Sequence, residues 1–398
     1  MLLSTQVHAE AESFTEALTS GKFYANLNLR HESVDQDNAL KDATALTLRT
    51  RVGYATGSYN GFSGLVEFED SRIVAEQDNF SVPPTGFNSN PTRYSIIADP
   101  ETTELDQAYI QYKNDLIKAR YGSQVIVLDN QRYVGHVGWR QDRVTFDAVS
   151  AVFTPVDKLT ITAAHLLERN RLFAEEADQK SKDNIINISY PTSIGKLTAY
   201  AYLLEDDFDN NAERDTYGIR LAGSQGIQGT KINYIAEYAD QDLENDAGAD
   251  FSMDYIHLEL SANIKGFMPK IGMEKLGSDG GDQGFFTPLG TVHKFNGWAD
   301  QFALGTPTEG LLDRYVGISK KIGPGKLSVI YHDFKADDES DTVDDLGNEL
   351  NIAYGMKLSK NFNVAVKYAD HNAGDTWSST PVVGVDTEKL WVWIGFNM

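Results

Sequence analysis

Between residues 128 and 141 the chain reads Leu128-Asp129-Asn130-Gln131-Arg132-Tyr133-Val134-Gly135-His136-Val137-Gly138-Trp139-Arg140-Gln141. Two guanidinium groups, a carboxylate and several side-chain amides stand beside two aromatic rings. Such a set suits carboxylate-bearing solutes, because the planar arginine fork matches a carboxylate with paired hydrogen bonds. Gly135 and Gly138 allow sharp turns, and the flanks, 117–127 and 143–153, read as strands. Most connections between strands are short and bland. This one combines charge, aromatic surface and glycine, as a loop folded inward to narrow a passage would. Asp129, Arg132, Tyr133, Arg140, Arg143 and Asp147 are therefore the expected constriction residues, with Asp129 and Asp147 as charge partners. The competing expectation is a loop pinned to a wall by ion pairs.

Other chemistry is thin. There is no Gly-x-Ser-x-Gly elbow, His-Glu-x-x-His pair or phosphate-binding loop, and Gly195-Lys196 and Gly325-Lys326 read as tight turns. His136, His257, His293 and His332 have no partner pair by sequence. The acidic runs 205–209 and 337–341 lack the spacing, central glycine and closing glutamate of an EF-hand and read as solvated loops. No catalytic residue, metal site or cofactor is expected.

The chain has 398 residues, a net charge of −23 and no cysteine. Without cysteine there is no disulfide framework, zinc-thiolate site or thiol catalysis. The acidity disfavours nucleic acid as a partner. No apolar run reaches the 18 or so residues of a transmembrane helix, which leaves open a β-barrel, whose alternating faces average to a soluble-looking hydropathy. Residues 1–9 end in Val7-His8-Ala9, as the tail of a secretory signal does, so 1–9 is the expected signal remnant and 10–398 the expected barrel.

From Lys22 onward apolar and polar residues alternate, as in Phe23-Ala25-Leu27-Leu29, Leu46-Leu48-Thr50-Val52-Tyr54, Ile232-Tyr234-Ala236-Tyr238 and Phe362-Val364-Val366-Tyr368. Alternation over about ten residues is the half-buried strand signal. The tally is about eighteen segments, an even number as bacterial barrels require. Short turns near residues 57–61, 154–157, 193–196, 323–326 and 359–361 alternate with long polar loops at 70–103, 168–184, 240–250, 277–310, 334–347 and 370–386. That asymmetry predicts short periplasmic turns and long extracellular loops. Tyr54, Tyr112, Tyr121, Tyr190, Tyr238 and Tyr368 sit near strand ends, where an interfacial girdle needs rings.

If the apolar parity faces lipid, the other parity lines a lumen. Its first third holds Arg30, Arg49, Arg51, Lys118, Arg120 and Arg143 around Glu67 and Glu69. Later strands add Glu237, His257, Glu259, Glu274, Glu349, Lys357 and Lys367. A basic arc facing a more acidic one would set a transverse field across the channel; the alternative is mutual pairing. Arg314 shares the parity of Val316 and Ile318, so either it snorkels at a rim or the strand register shifts there. Around residue 295 a second candidate loop carries Phe295, Trp298, Asp300 and Phe302, read as packing anchors.

The last strand alternates Leu390, Val392, Ile394, Phe396 and Met398 about Trp391 and Trp393. It resembles the C-terminal signature that delivers outer-membrane proteins to the barrel-assembly machinery. The stretch 128–141, continued to Thr145-Phe146-Asp147-Ala148, and the stretch Thr287-Pro288-Leu289-Gly290-Thr291-Val292-His293-Lys294-Phe295-Asn296-Gly297-Trp298-Ala299-Asp300-Gln301-Phe302 resemble segments of the alginate-export-type outer-membrane porins. The resemblance implies a monomeric barrel of 18 strands narrowed by inward loops. It does not fix the solute; a polyanion such as alginate would meet 58 acidic against 35 basic residues.

The expectation is an all-β protein: a single transmembrane antiparallel barrel in the outer membrane of a Gram-negative bacterium. It would be a porin that passes small polar or charged solutes by passive diffusion, narrowed by loops 128–141 and 285–303. Its partners would be outer-membrane lipid and lipopolysaccharide, the assembly machinery and small solutes. The alternative is a plugged barrel acting as an enzyme, surface receptor or adhesin.

Overall fold

Period-two alternation forces each strand to present one apolar and one polar face, and closing the sheet on itself satisfies every backbone group without an edge. The computed structural model describes residues 10–75, 79–82, 93–206, 212–245, 248–303, 305–339, 343–374 and 384–398. The expected signal remnant at 1–9 lies outside them.

Eighteen long antiparallel strands form the wall. They are β1 (Lys22–Gln36), β2 (Ala43–Ala55), β3 (Phe62–Ala75), β4 (Thr102–Lys113), β5 (Ile117–Gln124) and β6 (Thr145–Phe153). Next come β7 (Thr160–Asn170), β8 (Asn184–Thr192), β9 (Gly195–Asp206), β10 (Ala212–Ile227), β11 (Thr230–Glu244) and β12 (Asp250–Ala262). The last six are β13 (Phe267–Leu276), β14 (Leu311–Ile322), β15 (Gly325–Lys335), β16 (Asp345–Lys357), β17 (Phe362–Asn372) and β18 (Thr387–Asn397). Each pairs with its sequence neighbours, and β18 pairs with β1 from Thr387↔Gln36 to Asn397↔Asn26, which closes the barrel. The short turns gather at the periplasmic rim and the long loops at the extracellular rim. A six-residue helix, Phe14–Thr19, capped by the Ser13 hydroxyl, precedes β1; the Tyr54 hydroxyl donates to its Leu18 carbonyl at 2.6 Å.

The outward parity is the expected one. Val52, Ile110 and Ile271 on the outer face are 47, 63 and 62% exposed, an apolar outer surface of the kind that faces lipid. Rings pack at a tilt across neighbouring strands at the end of the short turns, Phe23 on Tyr54 at 4.5 Å, Phe62 on Tyr112 at 4.9 Å and Phe362 on Phe396 at 4.9 Å. Arg314 is exposed on the lipid parity at the extracellular end of β14, opposite Asp333 of β15, a rim position where a long side chain reaches water.

The buried core lies inside the barrel. Tyr133 and Val134 of the first inward loop pack with Phe146 and Leu166, with Tyr200, Tyr202 and Tyr255 of the wall, and with Phe285 and Leu289 of the loop after β13. A lumen filled this way is narrowed by structure that is itself packed.

Candidate functional site

Two loops fold into the lumen, residues 125–144 after β5 and 277–310 after β13, and they are hydrogen-bonded to one another. The Gly135 N–H donates to the Leu289 carbonyl at 2.8 Å, and the Thr291 N–H to the Gln131 carbonyl at 2.9 Å. The Val137 N–H donates to the Thr291 hydroxyl oxygen at 3.2 Å. Gly135 is needed for this approach rather than for a turn: a Cβ there would stand 2.2 Å from Thr291 Oγ1, and one on Gly290 would stand 2.3 Å from the Arg132 carbonyl. The left-handed residues of the first loop are Asp129, Gln131 and Val137, so the expectation that its glycines make the sharp turns is corrected.

The two loop arginines are buried and paired. Arg132 lies 3.2 Å from the Glu274 carboxylate of β13, with its guanidinium 5.0 Å above the Phe295 ring and 5.8 Å from that of Tyr255. Burial alone would lower its pKa, but Glu274 holds it raised. Arg140 donates to both carboxylate oxygens of Glu32 on β1, at 2.8 and 3.1 Å, and to Asp300 of the second loop at 3.3 Å. Asp300 also accepts from Lys389 of β18 at 3.1 Å and from His293 at 2.5 Å. Burial would raise this carboxyl, yet His293, Lys389 and Arg140 hold it well below the carboxylate range.

Lys367 of β17 fastens both loops. Its Nζ lies 4.4 Å from the Trp139 ring, 4.0 Å from Trp298 and 5.4 Å from Trp391, and it donates to His293 Nε2 at 2.7 Å. That donation fixes the His293 tautomer, with Nδ1–H on Asp300. Burial, with the Lys367 and Arg140 charges, pushes His293 down to about 3 against the pull of Asp300, so the ring is neutral and accepts. Trp139 stacks on His293 at 4.7 Å and meets Trp391 and Trp393 edge-on. Phe302 packs on Phe334 at 4.9 Å. A desolvated cation over an indole contributes about 2 kcal/mol. Lys367→Met, which keeps the length but not the charge, is expected to lower the melting temperature in detergent and shift tryptophan emission to the red. An unchanged emission spectrum would show that the ammonium does not hold the indoles.

The remaining expected constriction residues sit around this junction. Asp129 accepts from Lys196 at 2.6 Å and Asn187 at 2.8 Å; Asp147 accepts from Ser123 at 2.5 Å. The Tyr133 ring lies among Tyr200, Tyr202, Tyr255 and Phe285. Arg143 bridges Glu67 and Asp106, the latter at 2.5 Å.

Of the expected lining, Arg30, Arg49, Arg51, Glu67, Glu69, Glu237 and His257 point inward but lie buried beneath the loops, while Arg120 and Glu259 keep part of their surface. Part of the basic arc is paired where it stands, Arg30 on Asp99, Arg51 on Glu69, and Arg143 on Glu67 and Asp106, while Arg49 donates to the Arg140 carbonyl at 3.2 Å and Arg120 to Gln111 at 2.9 Å. Across the lumen Arg220 pairs with Glu237 at 3.1 Å, and His257 lies 3.0 Å from the Tyr315 hydroxyl. Local pairing takes up the charge of these residues, which reduces the transverse field expected between the two arcs.

Above the loops, toward the extracellular rim, is a cavity of about 470 Å³. Arg140, Arg169, Arg171, Arg214 and Lys389 line it, and Asp300 is the one carboxylate in its wall among the described residues. Its floor is the Thr287–Gly290 turn of the second loop, and Leu172 and Phe173 give it an apolar side. Arg169 is held by Asp183 through two bonds of 2.7 and 2.8 Å, and Arg214 donates to the Gln241 amide oxygen at 2.9 Å. The sequence reading missed Arg169, Arg171, Arg214 and Lys389. Lys389 and Arg214 had a usable signal, the inward parity that Lys389 shares with Trp391 and Trp393 and that Arg214 shares with Thr216 and Arg220.

The sequence profile of a family described as "Alginate export" matches residues 19–246. No curated protein matches the chain by sequence. Among solved structures, Pseudomonas aeruginosa OpdK with vanillate superposes with a TM-score of 0.73 at 12% identity, covering 96% of this chain and 99% of that one. Acinetobacter baumannii OccAB1 gives 0.72 at 10% identity, with 96% and 97% covered. Pseudomonas aeruginosa OccK9 (OpdG) gives 0.72 at 12%, with 96% and 100% covered.

Proposed function

The chain belongs to the alginate export family, and from that premise we propose that its channel selects small carboxylate-bearing solutes, which collect in the basic cavity before passing the crossed loops. It is an outer-membrane porin of a Gram-negative bacterium, a channel for small solutes. The selectivity rests on one observation: in a chain of net charge −23 the cavity wall offers, among the described residues, five cationic side chains against one carboxylate. Its volume, about 470 Å³, falls within the roughly 300–1,000 Å³ of small-ligand sites. Vanillate, named with the OpdK structure, is a carboxylate of suitable size. Arg132 and Arg140 set the narrowing through the loops they fasten, with their own charges committed to Glu274, Glu32 and Asp300. Passage needs no cofactor and no catalytic step, because the solute gradient drives it.

The test is single-channel conductance of the purified protein in a planar bilayer, with the reversal potential read across a gradient of potassium benzoate. Discrete steps and a reversal potential of the anion-selective sign are expected. A cation-selective sign would remove the carboxylate reading. A silent bilayer from correctly folded, heat-modifiable protein would mean that the loops seal the lumen, as in a receptor or enzyme built on a plugged barrel.

A further inference from the structure

We propose that Glu69, Glu104 and Asp142 form a calcium-class cation site that ties the first inward loop to the barrel wall. The three come from separate segments, β3, β4 and the loop after β5, and one carboxylate oxygen from each lies within 4.8 Å of the other two. An ion at about 2.4 Å from each ligand requires that spacing, since two oxygens on one calcium stand no more than about 4.8 Å apart.

Glu104 and Asp142 lie within hydrogen-bonding reach of each other, which two carboxyls tolerate only around a shared proton or a bound cation. Glu69 and Glu104 face each other directly across the β3–β4 pair, an arrangement of like charges that destabilises a sheet. Glu69 and Asp142 are 0 and 1% exposed. Glu69 gives its Oε2 to Arg51, and Asp142 gives its Oδ2 to the Ala174 N–H at 3.2 Å. Glu69 Oε1 and Asp142 Oδ1 are buried with no hydrogen-bond partner among the described residues. A buried ionised carboxylate is tolerated when it is paired or bound to a metal. The nearby cations are committed: Arg51 also lies 3.9 Å from Asp106, and Arg143 serves Glu67 and Asp106. Glu175 and Asp178, in the loop after β7, add negative charge on the Glu104 side.

The donor set chooses the ion. Oxygen ligands without a histidine or cysteine favour a hard cation over zinc. Calcium accepts irregular geometry and fills its shell with water, whereas magnesium demands a near-ideal octahedron. Glu104 is only partly buried, which leaves water access on one side. The sequence reading expected no metal, because these three acids are far apart in the chain and none belongs to an acidic run.

Protein refolded into detergent without lipopolysaccharide, and stripped with a chelator, is titrated with calcium chloride by calorimetry. One equivalent of binding is expected. Asp142→Asn and Glu104→Gln are expected to weaken it about tenfold or more, and Asp338→Asn, on an exposed loop, to leave it intact. Glu104→Gln, on the more accessible side, keeps the test open if Asp142→Asn does not refold. No binding by the native protein, or equal binding by all the variants, would overturn the site and leave a proton shared within the cluster as its counter-charge.

Discussion

Arg132→Ala combined with Arg140→Ala is expected to widen the channel while leaving the barrel folded. The wall is held by the ladders of eighteen strands, none of which uses these side chains. What they fasten is the first loop, through Glu274 on one side and through Glu32 and Asp300 on the other. Removing one partner from a buried ion pair costs about 3–5 kcal/mol, because the other charge is left uncompensated. Glu274 would keep the Tyr255 hydroxyl and Asn296 as donors, and Asp300 would keep His293 and Lys389, so the cost falls on docking of the loop. A shift of that size changes the ratio of docked to undocked loop about a hundredfold or more. Larger conductance steps, with more frequent switching between levels, follow. The heat-modifiable band on gels should remain, marking an intact wall. If conductance and switching match the native channel, the two arginines do not set the aperture.

Strand parity was legible in the sequence because lipid on one side and a polar lumen on the other leave each wall residue only two choices. Phe23 to Leu29, Leu46 to Tyr54 and the closing strand with Trp391 and Trp393 read off correctly for that reason. The inward loop was legible through composition, as Arg132, Arg140 and Trp139 have no reason to crowd an ordinary connection. Their partners were not. Glu32 and Glu274 lie on strands far away in sequence, and Asp99 and Asp300 lie on loops without a period, so no local pattern links them.

Bulges hid the rest. Glu67 faces Gln107 while Glu69 faces Glu104, so one residue of β3 opposes two of β4. The extra residue turns Asp106 into the lumen, where Arg143 and Arg51 meet it, although its spacing from Ile110 assigns it to lipid. At the other site Asp147 faces Glu168 while Ala148 faces Leu166. Leu167 is the added residue, and it brings Arg169 inward, into the cavity wall. A period-two reading continues straight through both places and puts these side chains on the wrong face. Asp106 and Arg169, each displaced by a bulge, are thus the inward ionic groups that simple parity cannot find.

The second large effect concerns charge in that cavity. Arg171→Ser with Arg214→Ser is expected to move the reversal potential in potassium benzoate strongly toward cation preference. Of the five cations in the wall, Arg140 and Lys389 share Asp300, and Arg169 is gripped by Asp183. Arg171 and Arg214 add two further guanidinium charges to the wall that an entering carboxylate meets. In a wet vestibule each such charge contributes up to about 1 kcal/mol to a passing anion, so losing two changes the anion-to-cation permeability ratio by roughly tenfold. The shift should shrink at high salt, since the screening length falls from about 10 Å at 0.1 M to about 3 Å at 1 M. Single-channel conductance in concentrated potassium chloride should stay near the native value, because the junction of the two loops is made by the Gly135–Leu289, Gln131–Thr291 and Val137–Thr291 hydrogen bonds, which this variant leaves in place. That separates this variant from the Arg132/Arg140 pair: one changes what passes, the other how wide the path is. A reversal potential unmoved at low salt would place the selective field below the loops, where Lys196 meets Asp129 at 2.6 Å and Lys270 meets Glu259 at 3.7 Å.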